Sequence, residues 1–181
     1  MNLAQFKWGH DAPVAITNIS FSAYPGDIIM IVGSVGSGKS AFIAGVMGEL
    51  LRSAGERIVR GTMAYVPQQA WIMNATVRDN IIFGKLFDEV KYRRVVEASA
   101  LAADFAMLPA GDSTEIGERG INLSGGQRQR ISIARAAYSE SDIIAMDDPL
   151  SAVDAHVAHH LVYYVMTVSY DCSFSNVSEG Y

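Results

Sequence analysis

The strongest constraint on this chain is one eight-residue run, Gly33-Ser34-Val35-Gly36-Ser37-Gly38-Lys39-Ser40, which matches the pattern G-x-x-x-x-G-K-[ST]. Glycines at these places let the backbone turn sharply and aim successive N–H groups at one point, a geometry that suits a phosphate. A flexible loop can match the pattern by chance, so the flanks decide. Upstream, residues 28–32 are continuously apolar, as expected of a strand buried on both faces. Downstream, Ile43, Val46, Met47, Leu50 and Leu51 recur at helical spacing until Ser53-Ala54-Gly55 ends the pattern. Buried strand, glycine-rich turn and amphipathic helix together read as a P-loop, with the positive end of the helix facing the phosphate. Lys39 would reach β- and γ-phosphates, and the Ser40 hydroxyl would bind Mg²⁺.

Elsewhere, strands and helices alternate. Residues 3–8 read as a short strand ending on Trp8, and 18–23 alternate apolar and polar residues with the period of a half-buried strand. Residues 63–66 form another short strand, stopped by Pro67. Asp88 caps a helix carrying Val95, Ala98, Leu101 and Phe105 on one face; Ser124 caps another that runs to Tyr138. Strands separated by helices argue for an α/β fold with a parallel sheet. Half of the 181 residues are hydrophobic and 18% are charged, a globular composition. A net charge of −5 argues against nucleic acid as a partner. The single cysteine, Cys172, forms no internal disulfide and suits a reducing compartment. The longest apolar runs, 28–32 and 161–166, fall far short of the ~20 residues of a spanning helix. Any membrane-embedded part must come from other segments.

Two further runs carry chemistry. Ile143-Ile144-Ala145-Met146-Asp147 is an apolar strand ending in a carboxylate, a Walker-B arrangement in which Asp147 would hold Mg²⁺, mostly through water. Leu123-Ser124-Gly125-Gly126-Gln127 offers a serine hydroxyl and glycine N–H groups at a helix start, a second phosphate cradle. An ordinary capped helix would look the same, but two cradles in one chain suggest two different nucleotides.

With both Walker motifs present, this sequence resembles the ABC ATPase family, whose signature is LSGGQ. The resemblance covers residues 3–161. It implies an α/β P-loop NTPase with a RecA-like parallel-sheet core, an N-terminal antiparallel β subdomain and an inserted α-helical signature subdomain. In that scheme residues 1–167 are the nucleotide-binding domain, with 1–72 and 139–167 as core, 73–138 as the helical subdomain and 168–181 as a divergent tail. Trp8 is expected to stack on adenine, while Gly33, Ser34, Gly36, Ser37, Gly38, Lys39, Ser40 and Ala41 hold the phosphates. Ser124, Gly125, Gly126 and Gln127 are expected to cover ATP held by a second nucleotide-binding domain, paired head to tail. Gln68, in Tyr65-Val66-Pro67-Gln68, looks like the Q-loop glutamine, so Ser40, Gln68 and Asp147 become the Mg²⁺ ligands and Asp148 and Gln68 the catalytic pair. Residues 114–120 resemble the loop that exporters turn toward their membrane domains, and 151–154 resemble the D-loop. Runs 66–72, 117–136 and 147–156 look most like the first nucleotide-binding domain of the C subfamily, the multidrug-resistance-associated transporters. This implies ATP and Mg²⁺ as cofactors, transmembrane domains as partners, and a place at the cytoplasmic face of a membrane.

Two departures qualify that picture. Asp148 stands where a hydrolytic domain of the family carries Glu, about 1.5 Å shorter in reach. A misplacement of ~1 Å can cost ~10²-fold in rate, so slow hydrolysis at this P-loop is expected. Second, the family continues past the D-loop with a helix and a core strand ending in a switch histidine. Val157, Leu161 and Val165 suggest the helix; residues 164–170 could imitate the strand but offer no histidine. His156 and His160, four residues apart, lack a third metal ligand nearby, and a solvated helix face is the simpler reading. The last core strand or strands are therefore expected to be missing or replaced, whether as a fragment, a variant or a truncated product. Two alternatives follow: a non-hydrolysing ATP-binding or partner-binding chain, and a soluble ABC ATPase of DNA-repair type. The second lacks the long coiled-coil insertion such proteins need between their Walker motifs.

Overall fold

The computed structural model describes residues 1–117 and 123–171, the stretch 164–171 by backbone alone. Two units are distinct, Met1–Met63 and a second beginning at Ala64.

In the first unit, β1 (Asn2–Lys7) is the central strand of an antiparallel sheet, flanked by β2 (Val14–Ile19) and β3 (Leu51–Glu56). Phe6 pairs with Ile16 on one side and Arg52 on the other. Ala4 and Phe6, two residues apart, share a face and are buried with Leu50 and with Ala41 and Ala44 of α1 (Lys39–Met47). Gly45 of α1 lies against the Phe6 ring: a Cβ there would come 3.1 Å from the ring edge. This close approach accounts for a residue that otherwise costs a helix interior ~1 kcal/mol.

Three expectations change here. The strand expected over 18–23 lies earlier, at Val14–Ile19; beyond it, the chain is tied to β1 by the terminal amine of Met1, which donates to the Phe21 carbonyl. The helix expected to reach Leu51 stops at Met47. Gly48 adopts φ 89°, and the N–H groups of Gly48 and Glu49 both close on the Ala44 carbonyl, a glycine-type helix stop. Leu50 still reaches the core, which explains its helical spacing, while Leu51 opens β3. The third change is larger. Residues 28–32 form no strand, and their side chains are 38% to 81% exposed. A strand buried on both faces needs a neighbour on each side, and the sheets among the described residues are β2-β1-β3 and a separate pair formed by residues 63–66 and 143–146.

In the second unit, β4 (Met63–Val66) pairs with β5 (Ile143–Met146), both where the sequence placed them, although β5 is half-buried rather than enclosed. The helical region comprises α2 (Val77–Ile82), α3 (Glu89–Ala98), α4 (Ala102–Met107) and α5 (Gly125–Tyr138). Thr76 and Asp88 cap α2 and α3 through their side chains. The single face expected from Val95 to Phe105 is divided between α3 and α4, because Ala100 takes φ 53°. Val95 and Leu101 nonetheless meet Val77, Ile81, Ile131 and Tyr138 in one core. The buried Tyr138 hydroxyl donates to the Leu86 carbonyl and accepts from the Asp88 N–H, so its polar end is satisfied. A smaller core joins Val66, Ile133 and Ala136 to Leu161 of α6 (Ala155–Asp171). Residues 164–170, which could have imitated a strand, are helical. Among the described residues no helix is long and apolar enough to cross a membrane.

Candidate functional site

The P-loop joins residues 28–32 to α1 in the first unit. Gly36 and Gly38 have φ 81° and 96°, backbone that L side chains rarely adopt, and Gly38 is the N-cap of α1. A Cβ at Gly33 would lie 2.6 Å from the Ser37 hydroxyl, so the loop closes tightly on itself. The Lys39 ammonium reaches back over the loop and donates to the carbonyls of Gly33 (2.8 Å) and Ser34 (2.9 Å). Left-handed glycines, a helix start and a lysine folded over the concavity fit a polyphosphate. Ser40 follows on the exposed side of α1, and Ala41 turns into the core beneath. Trp8 follows β1 and is 64% exposed, so core packing does not explain it; an open aromatic face suits stacking.

The second unit holds the rest. Asp147, at the end of β5, is nearly buried, and its N–H donates to the Val66 carbonyl of β4 at 2.9 Å. The strand pairing thus places the Q-loop directly beside the Asp147-Asp148 turn. Gln68 uses its amide nitrogen to donate to Asp148 Oδ2 at 3.2 Å. Asp148 itself has φ 47°, and its carbonyl accepts from the Ser151 hydroxyl (2.9 Å) and N–H (3.4 Å). Asp154 ends the D-loop by capping α6: its carboxylate accepts from the N–H groups of His156 and Val157, both at 3.0 Å. The hydrogen bond from the Val157 N–H foremost, and that from His156, outweigh desolvation and hold this carboxyl below its usual range. His160 uses its ring toward the Glu97 carbonyl at 2.8 Å.

The signature starts α5 with a complete capping box. The Ser124 hydroxyl accepts from the Gln127 N–H, and the Gln127 side-chain oxygen accepts from the Ser124 N–H at 2.8 Å. Its two glycines differ. Nothing lies within 4 Å of where a Gly125 Cβ would stand, whereas a Cβ on Gly126 would meet the Ala152 carbonyl of the D-loop at 2.9 Å. Gln68 and Asp147 of the second unit, and separately Ser40 of the first, carry oxygen donors of the kind a hard cation such as Mg²⁺ takes.

Sequence reading missed several residues that hold these loops. Gln129 is buried and donates to the Pro67 carbonyl, tying α5 to the Q-loop one residue before Gln68. Arg135 donates to the Trp71 carbonyl and to Asn80, and lies over the rings of Trp71 and Phe83. Burial pulls its guanidinium down to about 10. Asn80, fully buried, donates to the carbonyls of Met73 and Thr76. Asp104 of α4 takes both Gln127 and Arg130. No local motif marks these residues. Residues 118–120 of the loop before the signature, and 172–181 of the tail, lie outside the described residues.

The model of the ABC transporter family matches residues 16–151. ATP-binding cassette sub-family C member 2 of Mus musculus is 52% identical over 158 residues, 87% of this chain and 10% of that protein. ATP-binding cassette sub-family C member 3 of Homo sapiens is 50% identical over 161 residues, 89% of this chain and 10% of that protein. ABC transporter C family member 3 of Dictyostelium discoideum is 58% identical over 148 residues, 82% of this chain and 10% of that protein. The chain thus spans about a tenth of the length of the curated relatives it matches. A P-loop with left-handed glycines, a strand-end Asp147 beside Gln68, and a capped LSGGQ helix belong with that match: the chain is a member of the ABC transporter family, an ATP-binding domain of the sub-family C type.

Proposed function

We propose that this chain is the first nucleotide-binding domain of a sub-family C exporter, and that it binds MgATP at its P-loop and hydrolyses it slowly. The observation that carries this reading is the bond from Gln68 to Asp148 Oδ2. It brings the Q-loop glutamine to the carboxylate where the family's general base acts, and that carboxylate is the short one. Lys39 would exchange its two loop carbonyls for phosphate oxygens, while the N–H groups around Gly36 and Gly38 and the start of α1 take the remaining negative charge. Mg²⁺, when bound, neutralises phosphate charge and orients the terminal group. Ser40, Gln68 through its side-chain oxygen, and Asp147 are the residues of this chain that would hold it. Asp148 would accept the proton of the attacking water, from a position too far back for good geometry.

The chain's signature, with Ser124 and the open Gly125, serves ATP held by a second domain paired head to tail. That pairing couples nucleotide to transmembrane domains at the cytoplasmic face of a membrane. Residues 1–72 with 139–167 act as core in this reading, and 73–138 as the helical subdomain. A second reading, a chain that binds nucleotide or a partner without turnover, draws on one observation: residues 28–32, which lead into the P-loop, are held in no sheet.

Titration of the purified protein with a fluorescent ATP analogue in Mg²⁺, alone and with a second nucleotide-binding domain of the same sub-family, tests the proposal. The expected outcome is binding weakened roughly 10- to 100-fold by Lys39→Ala, and ATP-dependent association of the two domains. Binding without association would favour the second reading, and no binding would overturn both.

A further inference from the structure

Asp104 lies on α4, within none of the sequence motifs that carry the nucleotide chemistry, yet it is 5% exposed and is bound toward the signature helix. Its Oδ1 accepts from Gln127 Nε2 at 3.0 Å and from Arg130 Nη2 at 2.8 Å; its Oδ2 accepts from Arg130 Nη2 at 2.6 Å and Nε at 3.2 Å. The Gln127 amide is therefore held at both ends, its nitrogen on Asp104 and its oxygen on the Ser124 N–H. The Ser124 hydroxyl in turn accepts from the Gln127 N–H. Arg130, one turn further along α5, fastens the same helix to the same carboxylate. A capping box on the surface frays readily; one whose glutamine is clamped by a buried carboxylate keeps a single arrangement.

We infer that Asp104 is a positioning residue of the signature: acting through Gln127 and Arg130, it sets the direction in which Ser124 and Gly125 present their donors to a partner's nucleotide. A purely cohesive ion pair would account for Arg130 but not for the amide of Gln127, whose orientation bears on the capping box alone. The effect on a partner's turnover rests on the proposed head-to-tail pairing; the effect on the signature itself does not.

Two measurements separate these. The first is amide hydrogen exchange of the full chain carrying Asp104→Asn, and of a second variant, Asp104→Leu with Arg130→Met, that removes the pair without stranding a buried charge. Exchange at the Gln127 and Arg128 amides should quicken about tenfold in both, with α1 and β1 unchanged and affinity for an ATP analogue at the chain's own P-loop held within about twofold. The second is ATP turnover by a hydrolysis-competent second domain paired with each variant. Its kcat should fall about tenfold with little change in KM, Asp104→Glu should recover part of the loss, and adding Gln127→Ala to Asp104→Asn should cost little more. Unchanged exchange at Gln127, or a rise spread evenly through α3, α5 and the core, would overturn the inference. Failure of the wild-type chain to support any partner turnover would sink the pairing while leaving the exchange result to judge Asp104.

Discussion

Gln68 Nε2 donates to Asp148 Oδ2 across 3.2 Å, and the Asp148 backbone that carries this carboxylate is left-handed, with φ 47°. Asp accepts that conformation more readily than residues with longer side chains, because its carboxylate can bond locally. On the proposed reading, position 148 is pulled two ways: reach toward a water would ask for Glu, and the left-handed turn held by Ser151 asks for Asp. Asp148→Glu should raise turnover of the paired domains about tenfold or more while lowering the unfolding free energy by roughly 0.5–1 kcal/mol. Steady-state ATPase and chemical denaturation read the two effects separately. An unchanged rate would remove Asp148 from the role of base.

The P-loop makes a conformational prediction. Gly38 combines φ 96° with a neighbour at 3.2 Å, Ile16 Cγ2, so Gly38→Ala is strained and crowded at once. It should cost about 1–2 kcal/mol of stability and weaken nucleotide binding. Lys39→Ala leaves the backbone untouched and should weaken ATP binding roughly 10- to 100-fold through the lost charged hydrogen bonds. Isothermal titration with a nucleotide analogue should show weaker binding in both, and thermal denaturation distinguishes them, since only Gly38→Ala should also lower the midpoint.

The two signature glycines should part company. Gly126→Ala forces the Ala152 carbonyl away from 2.9 Å and should destabilise the chain by about 1–3 kcal/mol, because backbone on both sides leaves little room to yield. Gly125→Ala meets nothing within 4 Å and should be neutral or up to ~1 kcal/mol stabilising, alanine being the better helix former. Equal thermal midpoints for the two variants would contradict this.

Acid titration should expose the pair Arg78–Asp112. Burial pushes the Asp112 carboxyl up, but two hydrogen bonds from the Arg78 guanidinium, at 2.9 and 3.0 Å, outweigh it and leave it below its ordinary 3.8. A depressed carboxyl contributes stability that is present above 3.8 and disappears as pH falls through the folded value. Asp112→Asn should therefore cost ~1 kcal/mol at neutral pH, with the partly exposed Arg78 limiting the size, and the gap should narrow as pH falls below 3.8. Urea midpoints of both proteins between pH 2.5 and 7 give the test.

How much of this was legible in the sequence follows from how local each determinant is. The N-cap at Ser124 and the glycine turn of the P-loop are short-range chemistry, and both stand where the residues placed them; the reciprocal bond from Gln127 that completes a capping box is added by the structure. Gly48 shows the limit of periodicity: Leu50 keeps helical spacing because it enters the same core, although the helix has already ended. Residues 28–32 show the reverse limit. An apolar run signals a two-faced strand only when both neighbours exist, and a neighbour is a non-local fact. Asp104, Gln129 and Asn80 act from single positions whose partners lie 23, 62 and 55 residues away, beyond any spacing rule.

On the proposed reading, the P-loop binds ATP well and hydrolyses it poorly because Asp148 is short. Pairing this chain with a second nucleotide-binding domain whose own base has been removed, and following radiolabelled ATP through binding and a single turnover, tests this directly. Saturable retention of intact ATP is expected, with cleavage accelerated about tenfold or more by Asp148→Glu. Rapid cleavage by the unaltered chain, insensitive to residue 148, would contradict it.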